Sequence, residues 1–491
     1  MSVQPKKLSY SFAKQWGVVV LDQDDGQHIG VRAGIRREAI LETRRVLGES
    51  FDIQTLTHAE FDKALSHSYA SNGLESSVAD AVSEHGDLYS LAEDIPQTED
   101  LLDSDDDAPI IRLINGLIQE AIRLKASDIH VEPHETRLSV RFRIDGALRE
   151  MLSLSGKLSA VLVSRIKVMA RLDIAKKRIP QDGRFSLNLG AQAVDVRVST
   201  LPSRFGERVV LRLLNKEQAL LSVNELGMVS DMADAFSNAL TAPNGIILVT
   251  GPTGSGKTTT LYAGLTTLNQ THRNILTVED PIEYALDGIG QTQVNNKVGM
   301  TFAAGLRAIL RQDPDVVMVG EIRDPETAEI AVQASLTGHL VLSTVHTNSA
   351  VAAITRLRDM GVEQFLLAST ITAIVAQRLV RRLCEDCKTA YQPDAAELKL
   401  LNLKGKKTFY KANGCEACHN IGYTGRIGLY EIVLMDDVLK AMIHEGAREQ
   451  DMAAHAFRTA DTLMQSGVRY VEQGVVSSDE VLRVCRHSGD I

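Results

Sequence analysis

The residues whose types and spacing can do chemistry begin at position 251. Gly251-Pro252-Thr253-Gly254-Ser255-Gly256-Lys257-Thr258 fits G-x-x-x-x-G-K-[ST]. It follows the apolar run Ile246-Ile247-Leu248-Val249, which reads as a buried parallel strand, and leads into a helical pattern at Thr259, Thr260 and Leu261. Glycines at those positions let backbone N–H groups close around phosphate oxygens, and the following helix adds the positive end of its dipole. Lys257 is placed to reach β- and γ-phosphates, and the Thr258 hydroxyl to ligate Mg²⁺. The segment Gly251 through Thr259 is a nucleoside-triphosphate site.

Carboxylates recur where apolar runs end. Asn274-Ile275-Leu276-Thr277-Val278 reads as a strand ending in Glu279-Asp280-Pro281, and Asp315-Val316-Val317-Met318-Val319 as one leading to Gly320-Glu321. The carboxyl ends of parallel strands are where open α/β sheets bind ligands, and a carboxylate there suits a Mg²⁺–water–phosphate site. Glu279 and Glu321 are therefore the catalytic carboxylates expected, with Glu321 also a Mg²⁺ ligand. A further strand, Leu340 to Val345, is bracketed by His339 and His346, at least one of which is expected to sense phosphate.

Cys384-Glu385-Asp386-Cys387 and Cys415-Glu416-Ala417-Cys418 form two C-x-x-C knuckles. Four thiolates close a tetrahedral shell with no open position, so the expected ion is a structural Zn²⁺. Cys485 stands apart, and His419 beside Cys418 is read as a bystander.

The elements that must position these groups fill 491 residues, enough for about three domains. A net charge of −10 argues against a nucleic-acid-coating protein, and no apolar stretch approaches bilayer-spanning length. The N-terminus carries no signal-peptide pattern, so a cytoplasmic location, or one held at a membrane by a partner, is expected. Residues 1–92 read as a small mixed domain, with a strand at Val18–Leu21 and a helix at Ile35–Val46, and by elimination as a partner-binding module. The acidic stretch 93–107 reads as a solvated linker. Residues 108–222 read as an α+β domain opened by a helix at Pro109–Ile122. There, alternation puts Arg197 and Arg212 on strand faces, either as solvated charges or as arginines offered to a phosphate on another subunit. His130 reads as a strand-surface histidine. Residues 223–491 form the triphosphate-binding domain, with the metal head at 381–430.

Taken together, these motifs resemble a known family. Ala126-Ser127-Asp128-Ile129-His130, the phosphate loop, Glu279-Asp280-Pro281-Ile282-Glu283, Gly320-Glu321-Ile322-Arg323-Asp324, the His339–His346 segment and the tetracysteine head are similar to those of the secretion traffic ATPases, nearest to the type II secretion branch. The resemblance covers nearly the whole chain. It implies an α/β fold class: a RecA-like P-loop motor, a preceding PAS-like α+β domain, a small mixed N-terminal domain and a zinc head. It further implies an ATPase using ATP, Mg²⁺ and Zn²⁺. The chain would work as a homo-hexamer, peripheral on the cytoplasmic face of the bacterial inner membrane. Residues 1–92 would hold the cytoplasmic domain of an inner-membrane secretion-platform protein, and nucleic acid would not be a partner. Arg197 and Arg212 fall where the family supplies arginines to nucleotide at subunit boundaries, and Arg307 and Arg311 are similarly placed in the motor domain. The division of labour between Glu279 and Glu321 stays open.

The expected activity is ATP hydrolysis that drives pseudopilus assembly and export of folded proteins. A type IV pilus assembly ATPase shares every core motif, and residues 1–92 discriminate the two. A DNA-translocating helicase-like ATPase is disfavoured by the acidic charge and the single tryptophan. A non-hydrolysing scaffold is excluded if the protein turns over ATP.

Overall fold

The computed structural model describes residues 108–189, 192–214 and 221–485, together with 18–23, 26–32, 52–57 and the single positions 40, 43, 44 and 61. The acidic stretch 93–107 and nearly all of the helix expected at 35–46 lie outside the described residues. The chain divides into two compact units at Leu213–Leu214, ahead of the boundary near 222 that the sequence suggests.

In the first unit, β1 (Val18–Gln23) and β2 (Gly26–Arg32) form an antiparallel hairpin, and β3 (Asp52–Leu56) joins β2 in parallel. A second sheet has the order β6-β5-β4-β9-β8-β7. Its strands are β4 (Ala126–Pro133), β5 (Arg137–Ile144), β6 (Ala147–Ser155), β7 (Gln181–Leu189), β8 (Gln192–Ser203) and β9 (Gly206–Leu214). Period-two alternation splits it into two faces. Ile129, Val131, Val196, Val198, Val209 and Leu211 join the apolar stripes of the helices Ala108–Arg123 and Ser159–Met169 in one core. The opposite face carries Asp128, His130 and Glu132 of β4 among arginines.

The second unit is built on a seven-stranded sheet of order β12-β11-β13-β14-β10-β15-β18. The strands are β10 (Gly245–Thr250), β11 (Ile275–Glu279), β12 (Gly290–Gln293), β13 (Val316–Val319), β14 (Leu340–Val345), β15 (Ile371–Leu383) and β18 (Tyr423–Leu434). All pair in parallel except β15 with β18. Buried on both faces, β10, β13 and β14 read as unbroken apolar runs, as parallel sheets covered by helices do. The parallel direction brings the carboxyl ends of β10, β11, β13 and β14 to one edge, where ligands bind such sheets. A short hairpin of β16 (Thr389–Tyr391) and β17 (Phe409–Lys411) extends the cysteine-bearing segment. No helix among the described residues is long and apolar enough to cross a membrane.

Candidate functional site

The phosphate loop follows β10 and ends at Gly256, which caps the helix Lys257–Leu268 in left-handed geometry. Gly251, Gly254 and Gly256 have φ of +149°, +79° and +89°, a region that side chains oppose. At Gly251 space forbids one as well, since a Cβ would stand 2.5 Å from the Gln377 carbonyl oxygen and 2.6 Å from Ser255 Oγ. The Ser255 hydroxyl is buried and has no protein partner. A bare backbone cradle with an unsatisfied donor fits phosphate oxygens.

Lys257 Nζ lies over this loop, donating to the carbonyl oxygens of Gly251 (2.9 Å) and Pro252 (3.1 Å). Burial lowers its pKa to about 8, with Arg378 adding to the fall and the charge of Glu321 opposing it. Thr258 is exposed on the first helical turn.

Glu321 follows β13 and is 8 % exposed. Arg323 Nη2 lies 2.5 Å from its Oε1 and His346 Nε2 lies 3.5 Å from its Oε2. Burial and then Lys257 lower the His346 pKa against the opposing pull of Glu321, which favours the neutral imidazole. Thr250 and Thr347 join the ends of β10 and β14: the Thr347 N–H donates to Thr250 Oγ1 at 2.9 Å, and the two hydroxyls are 2.7 Å apart. Lys257, Glu321 and His346 thus form one site at the carboxyl edge of the sheet.

One expected member falls elsewhere, and another is engaged in a local hydrogen-bond network. His339 immediately precedes β14, at the end of the strand far from the loop, because Gly245 pairs with Leu340 while Thr250 pairs with Val345. Its Nδ1 lies 2.8 Å from the Ala334 carbonyl, closing the end of the helix Pro325–Leu336, so His339 stands at the sheet end away from this chain's phosphate loop. Glu279 is at the correct edge but is 2 % exposed, and its carboxylate is occupied. Thr277 Oγ1 (2.5 Å) and Gln291 Nε2 (3.0 Å) donate to Oε1, and Tyr262 Oη donates to Oε2. Three donors fill three of the carboxylate's roughly four lone-pair sites, which commits most of it to holding the strand end. Glu279 braces the strand end to the post-loop helix that carries Tyr262.

In the first unit, the alternation expected around the arginines is present, with Val194, Val196 and Val198 buried and Arg197 half-buried on the other face. Arg212 is exposed, and its Nε donates to Asp128 Oδ1 at 3.0 Å. Arg143 also faces Asp128, at 3.6 Å, while Arg141 and Arg208 share Glu132. These carboxylate anchors on β4 were not expected, since they depend on which strands pair. Arg307 pairs with Glu326 at 2.7 Å, and Arg311 donates to the Arg307 carbonyl.

The sulfurs of Cys384, Cys387, Cys415 and Cys418 all lie within 4.8 Å of one another. Measured separations are 3.9 Å for Cys384–Cys415, 3.8 Å for Cys387–Cys418 and 3.7 Å for Cys415–Cys418. Sulfurs about 2.3 Å from a central tetrahedral ion stand about 3.8 Å apart, so the donor set fits Zn²⁺. Backbone N–H groups of Gly414, Cys415 and Gly422 point at the sulfurs from 3.1–3.2 Å, the polar support that thiolate ligands need.

Residues missed by sequence reasoning cluster on β15 and β18. Gln377 and Arg378 are buried against the back of the phosphate loop, and Glu431 accepts the first N–H groups of two helices, from Ala350 (2.7 Å) and Leu463 (3.3 Å). A mostly apolar and then basic run from Ile371 to Leu383, interrupted by Thr372 and Gln377, was the available signal for β15.

Comparison with known proteins bears on the whole chain. The family described as Type II/IV secretion system protein matches residues 103–483, and the family of a GSPII protein E domain matches residues 7–69. The type II secretion system ATPase E of Vibrio cholerae is 55% identical over 489 residues, covering 98% of this chain and 97% of that protein. The type II secretion system protein E of Pseudomonas aeruginosa is 56% identical over 485 residues, with 98% and 97% covered. Among solved structures, the pilus retraction motor PilT with bound ADP matches with a TM-score of 0.54 at 28% identity, covering 75% of this chain and 95% of that one. The ATPase DotB of Legionella pneumophila, at 22% identity and a TM-score of 0.58 over 76% of this chain and 95% of its own, shares the fold.

Proposed function

Since the chain belongs to the type II/IV secretion system protein family, we propose that it is the ATP-hydrolysing motor of a type II secretion system, powering pseudopilus assembly and the export of folded proteins. The observation that carries this reading is the convergence of Lys257, Glu321 and His346 on a glycine-lined phosphate loop. The match of residues 7–69 to a GSPII protein E domain favours type II secretion over pilus assembly.

ATP would lie along Gly251–Thr259, with its phosphates in the loop and against the N-terminus of the helix Lys257–Leu268. Lys257 would exchange two loop carbonyls for β- and γ-phosphate oxygens. Thr258 and Glu321 would hold Mg²⁺, which would supply positive charge against the phosphates. Glu321, with neutral His346 beside it, would orient the attacking water, so that hydrolysis is positional and electrostatic. Arg197 and Arg212 would complete the site of a neighbouring subunit in a homo-hexamer. Residues 1–92 would hold the cytoplasmic domain of an inner-membrane platform protein, keeping the motor peripheral on the cytoplasmic face. Zn²⁺ on the four cysteines would fold the head without doing chemistry.

Turnover measured against protein concentration tests this reading. Specific activity should rise as chains assemble, and Lys257→Ala should abolish it. Arg197→Ala or Arg212→Ala should bind nucleotide without turning it over, and mixing Arg197→Ala with Lys257→Ala chains should restore part of the activity. Absence of turnover by wild-type chain at every concentration overturns the motor, and absence of complementation in demonstrated mixed rings overturns the arginines' action across a boundary.

A further inference from the structure

β15 runs parallel to β10, and Ala376 pairs with Thr250, so Gln377 comes level with the first residue of the phosphate loop. Gln377 is 1 % exposed. Its Nε2 donates to the Ser255 carbonyl oxygen at 2.6 Å. In a trans peptide the carbonyl and the next N–H point in opposite directions. A carbonyl held back against β15 therefore turns the Gly256 N–H away from β15. Gly256, at φ +89°, can accept that peptide orientation, and a Cβ there would stand 3.0 Å from Gln377 Nε2.

Arg378 holds this arrangement from behind. Its guanidinium donates to the Gln377 carbonyl (3.0 Å) and the Asn348 carbonyl (2.8 Å), so one buried fork links the loop's support to the segment after His346. Glu431, Cys485 and Lys257 are the titratable groups near enough to interact with its charge. The second amide atom of Gln377, Oε1, is buried with no hydrogen-bond partner. An orphaned buried acceptor costs about as much as a typical hydrogen bond returns. Gln377 therefore adds little to stability, and its gain lies in what it orients.

We propose that Gln377, buttressed by Arg378, is a positioning residue for the phosphate loop, fixing the Ser255–Gly256 peptide so that the Gly256 N–H meets a phosphate oxygen. This rests on the nucleotide reading of the site. Removing the orienting donor should cost about tenfold in nucleotide affinity, roughly one hydrogen bond to a charged group.

Gln377→Met in the full chain removes the donor at similar volume. Wild-type ADP binding, measured first by calorimetry, tests the nucleotide reading by itself. For Gln377→Met, the KM for ATP and the Kd for ADP should rise about tenfold, kcat should change less than KM, and Tm should stay at the wild-type value. Hydrogen exchange at the Gly256 amide of nucleotide-free protein should quicken. Arg378→Lys, which keeps the charge but loses the fork, should shift KM in the same direction and serves if Gln377→Met does not fold. Wild-type KM and exchange in the variants, or an affinity loss matched by a fall in Tm, overturns the proposal.

Discussion

Tyr262 and Glu279 share a hydrogen bond in the dry interior of the motor unit, with the tyrosine 1 % and the glutamate 2 % exposed. Burial and then the neighbouring carboxylate raise the tyrosine's pKa, so the phenol keeps its proton and donates it. Because Tyr262 lies on the helix that starts at Lys257, the bond fixes the phosphate loop's helix to the end of β11. A carboxylate used this way differs from Glu321, which faces Arg323 and His346 at the site.

The two glutamates should therefore separate on replacement by glutamine. Glu279→Gln puts an NH₂ group among three donors, so at least one is left unpaired, at a cost of roughly 1–3 kcal/mol. Tyr262→Phe should lower stability through the same bond. Glu321→Gln should keep nucleotide binding and stability but lose turnover. Urea midpoints read beside ATPase rates decide this: a Glu279→Gln protein of wild-type stability with no turnover would place Glu279 in the chemistry, and near-wild-type turnover in Glu321→Gln would remove Glu321 from it.

Legibility in the sequence followed locality. The phosphate loop is contiguous, and its strand and helix flank it, so Gly251 to Thr259 could be read directly. The cysteine pairs carry their own spacing, and the structure brings all four together. What stayed hidden depends on long-range register. His339 and His346 bracket one strand symmetrically in sequence, yet only the parallel pairing with β10 determines which end faces the loop. Glu279 ends one strand and Glu321 closely follows another, and nothing local reveals that Tyr262, 17 positions before Glu279, will bond to it. Arg212 shows its strand face by alternation, but its anchor Asp128 lies 84 positions away.

Lys257 makes nucleotide binding proton-linked. Burial depresses its pKa from 10.5 to about 8. Between those values the folded, nucleotide-free chain binds fewer protons here than the unfolded chain, so this group's contribution makes stability rise with pH across that window. A triphosphate beside the ammonium favours the charged form and moves the pKa back up. At pH 8 binding should then take up about half a proton, falling toward zero below pH 7. Calorimetric binding enthalpies in buffers of different ionisation enthalpy give that number. The uptake should vanish in Lys257→Arg, and an equal uptake there would place the proton on another group.

The tetracysteine head should depend on its ion for folding and leave the chemistry to the sheet. Cys384 follows the last residue of β15, and the Cys415 knuckle precedes β18, so the four sulfurs tie together the outer ends of an antiparallel pair. The segment between has few buried apolar side chains, chiefly Leu401 and Phe409, which is too little to close a core alone. Metal-binding energy is then largely folding energy for that segment. Elemental analysis of protein purified without chelator should find one Zn²⁺ per chain. Cys384→Ser or Cys418→Ser should lower that content and open residues 384–430 to protease, while residual ATP turnover survives and secretion fails. Cys485 is buried at the end of the helix Ser478–Cys485, outside the sulfur cluster, so Cys485→Ser should keep the full metal content. Wild-type zinc in the Cys384→Ser and Cys418→Ser proteins, or loss of zinc in Cys485→Ser, would show that these four thiolates are not the site.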